Sequence, residues 1–594
     1  MHGENKKRGG RLPLVLAGAL LVGCAGEKPE PIKGDWGDEV AYPELGGAYA
    51  RALTALDGTC AFTAGAMTIG ANDTAQTIII GVRAVDQAIL VNGATCGTPA
   101  ATVKSMKTLN VDQDMAGDQV VILDYLNGIF GKGSGVTAAT TIDLGAGTDE
   151  LLMRGSSGAD NMVFATTGIY IDKGTVLDVS AAGAESYNVS LAAGADVFSG
   201  SDFATALTVF GGIGNDTVTG TDQADTINGG EGNDIINGGL GADTLNGDEG
   251  DDTFMEGEDP SGGDTFDGGA GTADMVSYAL RTVAITASIG AGTTDDGEAL
   301  EADDILATVE GITGGTANDV LTGDSGNNVL TGGLGNDTLT GDSGNDTLNG
   351  GEGDDTFDEE TASNGGDIFN GGNGTDTLDY SARTVALVVT MDGVLANDGE
   401  ALEVDNVKAD VENILGGTVN DNITGNNGNN VMTGGAGADT LSGGAGNDTF
   451  DEEAADSGSD VFNGGTGVDT VDYSARTGAL VVTMDGAAAD DGETDGDNVK
   501  GDVENLLGGT GADVITGNAL ANDIDGGAGA DVIGGGAGND VLFGNAGADV
   551  LNGDAGDDTL DGGGDADSLF CGAGDDIRVG GGGTDFIDAN TDVV

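Results

Sequence analysis

The chain has 594 residues, of which 114 are glycine and only 4% aromatic, so a set of compact, aromatic-rich cores is excluded and repetition must account for the length. Acidic residues number 102 against 19 basic ones, a formal net charge of -83 at pH 7, which makes nucleic acid and anionic membrane surfaces poor partners. A glycine-rich acidic chain buries too little apolar surface to offset its ordering entropy while its carboxylates repel, so cation binding and folding are expected to be one event.

Residues 1–23 carry Lys6, Lys7, Arg8 and Arg11 and then an apolar run from Leu12 to Val22. A basic segment followed by a short apolar core reads as a signal peptide, too short to stay as a membrane span. The segment Leu21-Val22-Gly23-Cys24 resembles the lipobox of bacterial lipoproteins. That resemblance implies cleavage before Cys24, a lipid on its sulfur, and an exported protein held by the membrane of the bacterial envelope, at the outer membrane or cell surface. Cleavage also removes His2, the only histidine. The mature chain then has no Ser-His-Asp triad, Cys-His pair or imidazole zinc site, and is expected not to be an enzyme. Residues 24–47, with Glu27-Lys28-Pro29-Glu30-Pro31, read as an extended tether.

Residues 48–210 hold short apolar runs, such as Thr77 to Val82 and Gln119 to Leu123, separated by Gly, Asn and Asp. This is the pattern of many short strands. Gly158/Asp160 and Gly194/Asp196 keep fragments of a repeat that becomes regular later, so the region reads as an irregular β-solenoid. A separate sandwich over residues 48–135 is the alternative. Cys60 and Cys96 lie beyond the export signal and are candidates for a disulfide.

From Gly211 onward one nine-residue phrase recurs in blocks at 211–257, 314–358, 416–451 and 508–594, separated by interruptions at 258–313, 359–415 and 452–507. Its clearest copy is Gly535-Gly-Ala-Gly-Asn-Asp-Val-Leu-Phe543. Glycines at positions one, two and four suit a tight turn, and the last three residues suit a very short strand. One large apolar residue per copy, as at Ile533, Leu542, Leu551, Leu560 and Leu569, can be buried only by stacking copies. Stacking also brings the Asp at position six and backbone carbonyls of adjacent coils together. Six to eight oxygen ligands in tolerant geometry suit calcium.

The phrase resembles the G-G-x-G-x-D-x-U-x nonapeptide of the RTX (repeats-in-toxin, hemolysin-type) calcium-binding family. The resemblance implies an all-β fold, a parallel β-roll or β-solenoid with two Gly-Asp-rich nonapeptides per coil and multiple calcium ions between loops of neighbouring coils. Carried over residue by residue, the calcium ligands are Asp216, Asp225, Asp234, Asp243 and Asp252 in the first block and Asp319, Asp337, Asp346 and Asp355 in the second. Asp421, Asp439 and Asp448 follow in the third, and Asp513, Asp531, Asp540, Asp549, Asp558, Asp567, Asp576 and Asp585 in the fourth. Isolated repeats within interruptions add Asp376 and Asp469. Asn328, Asn430 and Asn522 stand at position six without the charge, and their sites are expected to be weaker or empty.

The interruptions share Asp379-Tyr-Ser-Ala-Arg-Thr384 and Asp472-Tyr-Ser-Ala-Arg-Thr477, with a looser version at Tyr278 and Arg281. They keep strand-like periodicity and are expected to continue the stack in wider coils, with linkers between four separate rolls as the rival; their acidic loops at 397–405 and 490–497 are expected to bulge as solvated faces, with extra weak calcium sites as the alternative. At about 18 residues per coil and about 4.8 Å per step the rod would be on the order of 140 Å long. These features point to a calcium-stabilised surface lipoprotein acting as a structural or adhesive rod, with an extracellular protein or polysaccharide as partner. An exported hydrolase or carbohydrate-active enzyme using the repeats as a stability module is the alternative.

Overall fold

The computed structural model describes residues 184–588, short loop segments excepted, and before them chiefly the strands between residues 58 and 182. Cys24, the tether and Cys96 lie outside the described residues. Cys60 lies on the strand Gly58–Thr63, its side chain outside the description, so the disulfide expectation is not addressed.

The described residues are all β and form a parallel solenoid of about 19 turns. Register repeats every 18 residues in the regular blocks: Val532 to Gly534 pairs with Val550 to Asn552, and on the opposite sheet Val541 to Phe543 pairs with Thr559 to Asp561. Each coil therefore spends two nonapeptides, one per sheet. Position eight points inward. Ile515, Ile533, Leu551 and Leu569 form one internal column and Ile524, Leu542 and Leu560 the other, each with at most 1% of its surface exposed. Burying one such side chain is worth about 1.5–3 kcal/mol, and the column extends as far as the repeats do.

Glycine is required for two different reasons. At positions two and four it supplies positive φ, as at Gly536 (97°) and Gly538 (142°). At position one the requirement is space: a Cβ on Gly553 would lie 2.5 Å from both the Asp558 Oδ2 and the carbonyl oxygen of Cys571 in the next coil.

The interruptions are built into the stack. Thr265 and Phe266 pair with Asp304 and Ile305, Ile368 and Phe369 with Asn406 and Val407, and Val461 and Phe462 with Asn498 and Val499, all in parallel. Paired phenylalanines fill the broader interior where each interruption begins, as at Phe254 and Phe266, Phe357 and Phe369, and Phe450 and Phe462, with ring centroids 5.5–5.7 Å apart. Because these coils consume far more chain than 18 residues, the length expected at uniform pitch is too great. About 19 turns give on the order of 90 Å.

Residues before 211 continue the same stack rather than forming a sandwich. Thr77–Val82, Val120–Asp124, Glu150–Arg154, Ser186–Ser190 and Leu207–Ile213 pair in parallel succession. Short antiparallel excursions, such as Gly58–Thr63 against Ala66–Ala71, make the region irregular.

Candidate metal centre

The position-six carboxylates sit on the residue just before each short strand and link coil to coil as ladders. Asp540 N–H donates to Asp558 Oδ1 at 2.8 Å, and Asp558 N–H donates to Asp576 Oδ1 at 2.9 Å. On the opposite side Asp513, Asp531, Asp549, Asp567 and Asp585 are linked in the same way at 2.8–3.3 Å. Every sequence-predicted position-six Asp is buried except the half-exposed Asp585. One carboxylate oxygen thus closes the backbone of the coil before it. The other is left over.

That second oxygen divides the residues into two groups. In Asp216, Asp234, Asp243, Asp252, Asp337, Asp346, Asp355, Asp376, Asp439, Asp448 and Asp469 the Oδ2 is buried without a hydrogen bond, and so it is in Asp531, Asp540, Asp549, Asp558, Asp567 and Asp576. In four residues it is satisfied: Thr221 N–H donates to Asp225 Oδ2 at 2.6 Å, Gly315 N–H to Asp319 at 2.6 Å, Gly417 N–H to Asp421 at 2.8 Å and Gly509 N–H to Asp513 at 3.1 Å. The three asparagines are also closed. Asn522 Oδ1 accepts from Asn518 N–H at 2.9 Å while its Nδ2 donates to the Glu504 carbonyl at 2.9 Å.

A buried carboxylate oxygen without a donor is costly and calls for a proton or a cation. Burial pushes Asp243 up to about 8, and Asp234, Asp337, Asp346 and Asp439 up to about 7, with backbone donors pulling the other way and neighbouring carboxylates adding to the rise. The oxygens that converge are carboxylate and carbonyl, as at Gly553, which Asp558 Oδ2 and the Cys571 carbonyl both approach closely. Oxygen donors in that arrangement fit a hard cation of calcium type.

Several ladder members escape the nonapeptide pattern. Asp243 N–H donates to Asp264 Oδ1 at 2.8 Å and Asp264 N–H to Asp303 Oδ1 at 2.9 Å, while Asp274 N–H donates to Glu310 Oε2 at 2.9 Å. Asp367 and Asp405 take these places in the second interruption, Asp460 and Asp497 in the third. The full glycine pattern is broken there, but the acid-x-apolar signal survives, as in Asp303/Ile305, Glu310/Ile312 and Asp405/Val407.

The acidic loops are the main correction. Expected as solvated bulges, they place Asp398, Glu403, Asp405, Asp491 and Asp497 inside, each at most 4% exposed. Their partners come from the shared Tyr-Ser-Ala-Arg segment. Tyr380 OH donates to Asp405 Oδ2 at 3.0 Å, and the buried Arg383 pairs with Glu359 and with Glu403, the latter at 3.1 Å. Tyr278 with Arg281 and Tyr473 with Arg476 repeat the arrangement.

Matches to a family described as the RTX calcium-binding nonapeptide repeat span residues 210–254, 312–358, 415–450, 454–475, 501–533 and 534–587. These are RTX repeats. RTX repeats bind calcium and are typical of secreted or extracellular proteins. No curated protein matches the chain. In the RTX segments the nonapeptide coincides with the observed half-coil, and its position-six acid is the ladder carboxylate.

Proposed function

We propose that this protein is a calcium-stabilised surface lipoprotein, a non-enzymatic rod anchored through Cys24 that serves a structural or adhesive role toward an extracellular protein or polysaccharide. The observation that carries the calcium assignment is the column of buried, unbonded Oδ2 atoms along both sides of the RTX stack. Calcium at these oxygens would neutralise the ladder and tie adjacent coils together, in a chain whose net charge of -83 otherwise opposes compaction. The residues that hold it are the position-six aspartates with an open oxygen, such as Asp531, Asp540, Asp549 and Asp558. Asp225, Asp319, Asp421 and Asp513, closed by backbone donors, contribute structure instead.

A rod of about 19 turns separates its two ends by far more than the reach of a compact domain, which suits a projection held at one end by lipid. Two measurements test the reading. Equilibrium dialysis of the mature chain should find many calcium ions per molecule, and binding of none or one would defeat the calcium assignment. Radiolabelled palmitate should enter the wild-type protein in a bacterial host and not the Cys24→Ser variant; equal labelling of both would remove the anchor.

A further inference from the structure

The first two interruptions each enclose a compact cluster of acids that the nonapeptide does not describe. In the first, the fully buried Arg281 donates from Nη2 to Glu256 Oε2 at 2.8 Å and to Glu301 Oε1 at 2.5 Å. Tyr278 OH holds Asp303 Oδ2 at 2.9 Å, and carboxylate oxygens of Glu256, Glu301 and Asp303 all lie within 4.8 Å of one another. Glu359, Glu403 and Asp405 form the same group around Arg383 and Tyr380.

One guanidinium does not balance these charges. Asp264 is a fourth acid, 1% exposed, and its Oδ2 has no hydrogen bond while its charge acts on Glu256 and Asp303. Asp367, fully buried with an unbonded Oδ2, acts on Asp405 in the same way. When ionised, four carboxylates against one arginine leave three negative charges in a solvent-free site. Two carboxylate oxygens from different residues converge beside Gly297: a Cβ there would lie 2.5 Å from Glu301 Oε2 and 2.9 Å from Asp303 Oδ2. Gly399 stands in the same relation to Glu403 and Asp405.

We propose that the Glu256/Glu301/Asp303 and Glu359/Glu403/Asp405 clusters each bind one hard divalent cation, calcium in a calcium-rich medium, at sites separate from those of the nonapeptides. All-oxygen ligation and excess negative charge favour calcium over softer metals. The third interruption keeps Arg476 with Glu452 at 2.5 Å and Tyr473 with Asp497 at 2.9 Å.

Anomalous diffraction from crystals of the wild-type chain soaked in terbium tests this without altering the fold. The expected result is a peak bounded by Glu301 and Asp303 and a second bounded by Glu403 and Asp405. Terbium in the repeats with both clusters empty would overturn the proposal while leaving the repeat assignment intact. In solution, the double variant Asp303→Asn, Asp405→Asn should bind two fewer calcium ions than wild type. An unchanged count in the folded double variant would also overturn it.

Discussion

At the scale of single residues, the decisive feature is a carboxylate that is both structural and unsatisfied. Asp540 receives the Asn522 N–H through Oδ1 at 2.8 Å and leaves Oδ2 open. Asp540→Asn preserves one oxygen and removes the charge, so it should lower calcium affinity in the fourth block, read as a rightward shift in a calcium titration of thermal stability. Gly553→Ala places a methyl against Asp558 Oδ2 and the Cys571 carbonyl and should cost roughly 1–3 kcal/mol in calcium, measured by denaturant unfolding. The ladder also fixes a pH dependence. Burial raises the folded-state pKa of Asp234 to about 7 and of Asp243 to about 8, above the unfolded value of 3.8. The folded state therefore binds more protons, so metal-free stability is fully present below about pH 4 and is lost as pH rises through 7 to 8. Calcium affinity should climb over the same interval. Urea unfolding in chelator from pH 4 to 8 checks the sign, and rising metal-free stability toward pH 8 would refute it.

At the scale of the coil, position eight was legible from the sequence because one apolar residue in nine has no other place to go, and Leu542 and Leu551 lie fully buried in their columns. The pairing of two nonapeptides per turn followed from the family resemblance and is seen in the 18-residue register. Less legible were the acids of the interruptions. Asp303 and Asp405 lie in the runs Glu298 to Asp303 and Glu400 to Asp405, where hydrophilic composition suggests solvent, and their burial rests on Tyr278 and Tyr380, distant in sequence, with Arg281 and Arg383 holding the neighbouring Glu301 and Glu403. The division among position-six aspartates follows the turn: Asp337 comes after Gly332-Gly-Leu-Gly-Asn336 with Gly333 and Gly335 at positive φ, whereas Asp319 comes after Gly314-Gly-Thr-Ala-Asn318 and its second oxygen accepts from Gly315 N–H. Arg383→Ala leaves Glu359 and Glu403 buried without their cation and should destabilise the second interruption by about 3–5 kcal/mol, seen as loss of amide exchange protection around residues 368–415.

At the scale of the whole molecule, a quasi-one-dimensional stack gains stability coil by coil, each coil resting on its neighbours. With a net charge of -83, such a stack loses at neutral pH unless cations enter the ladders, so calcium acts as part of the fold. An exported chain would stay unfolded in a calcium-poor compartment and assemble after reaching a calcium-rich one. Far-UV circular dichroism of the mature, unlipidated chain at neutral pH, titrated from chelator to several millimolar calcium with magnesium as control, tests this most directly. The account predicts a cooperative gain of β signal that magnesium does not reproduce; a complete β spectrum in chelator would contradict it.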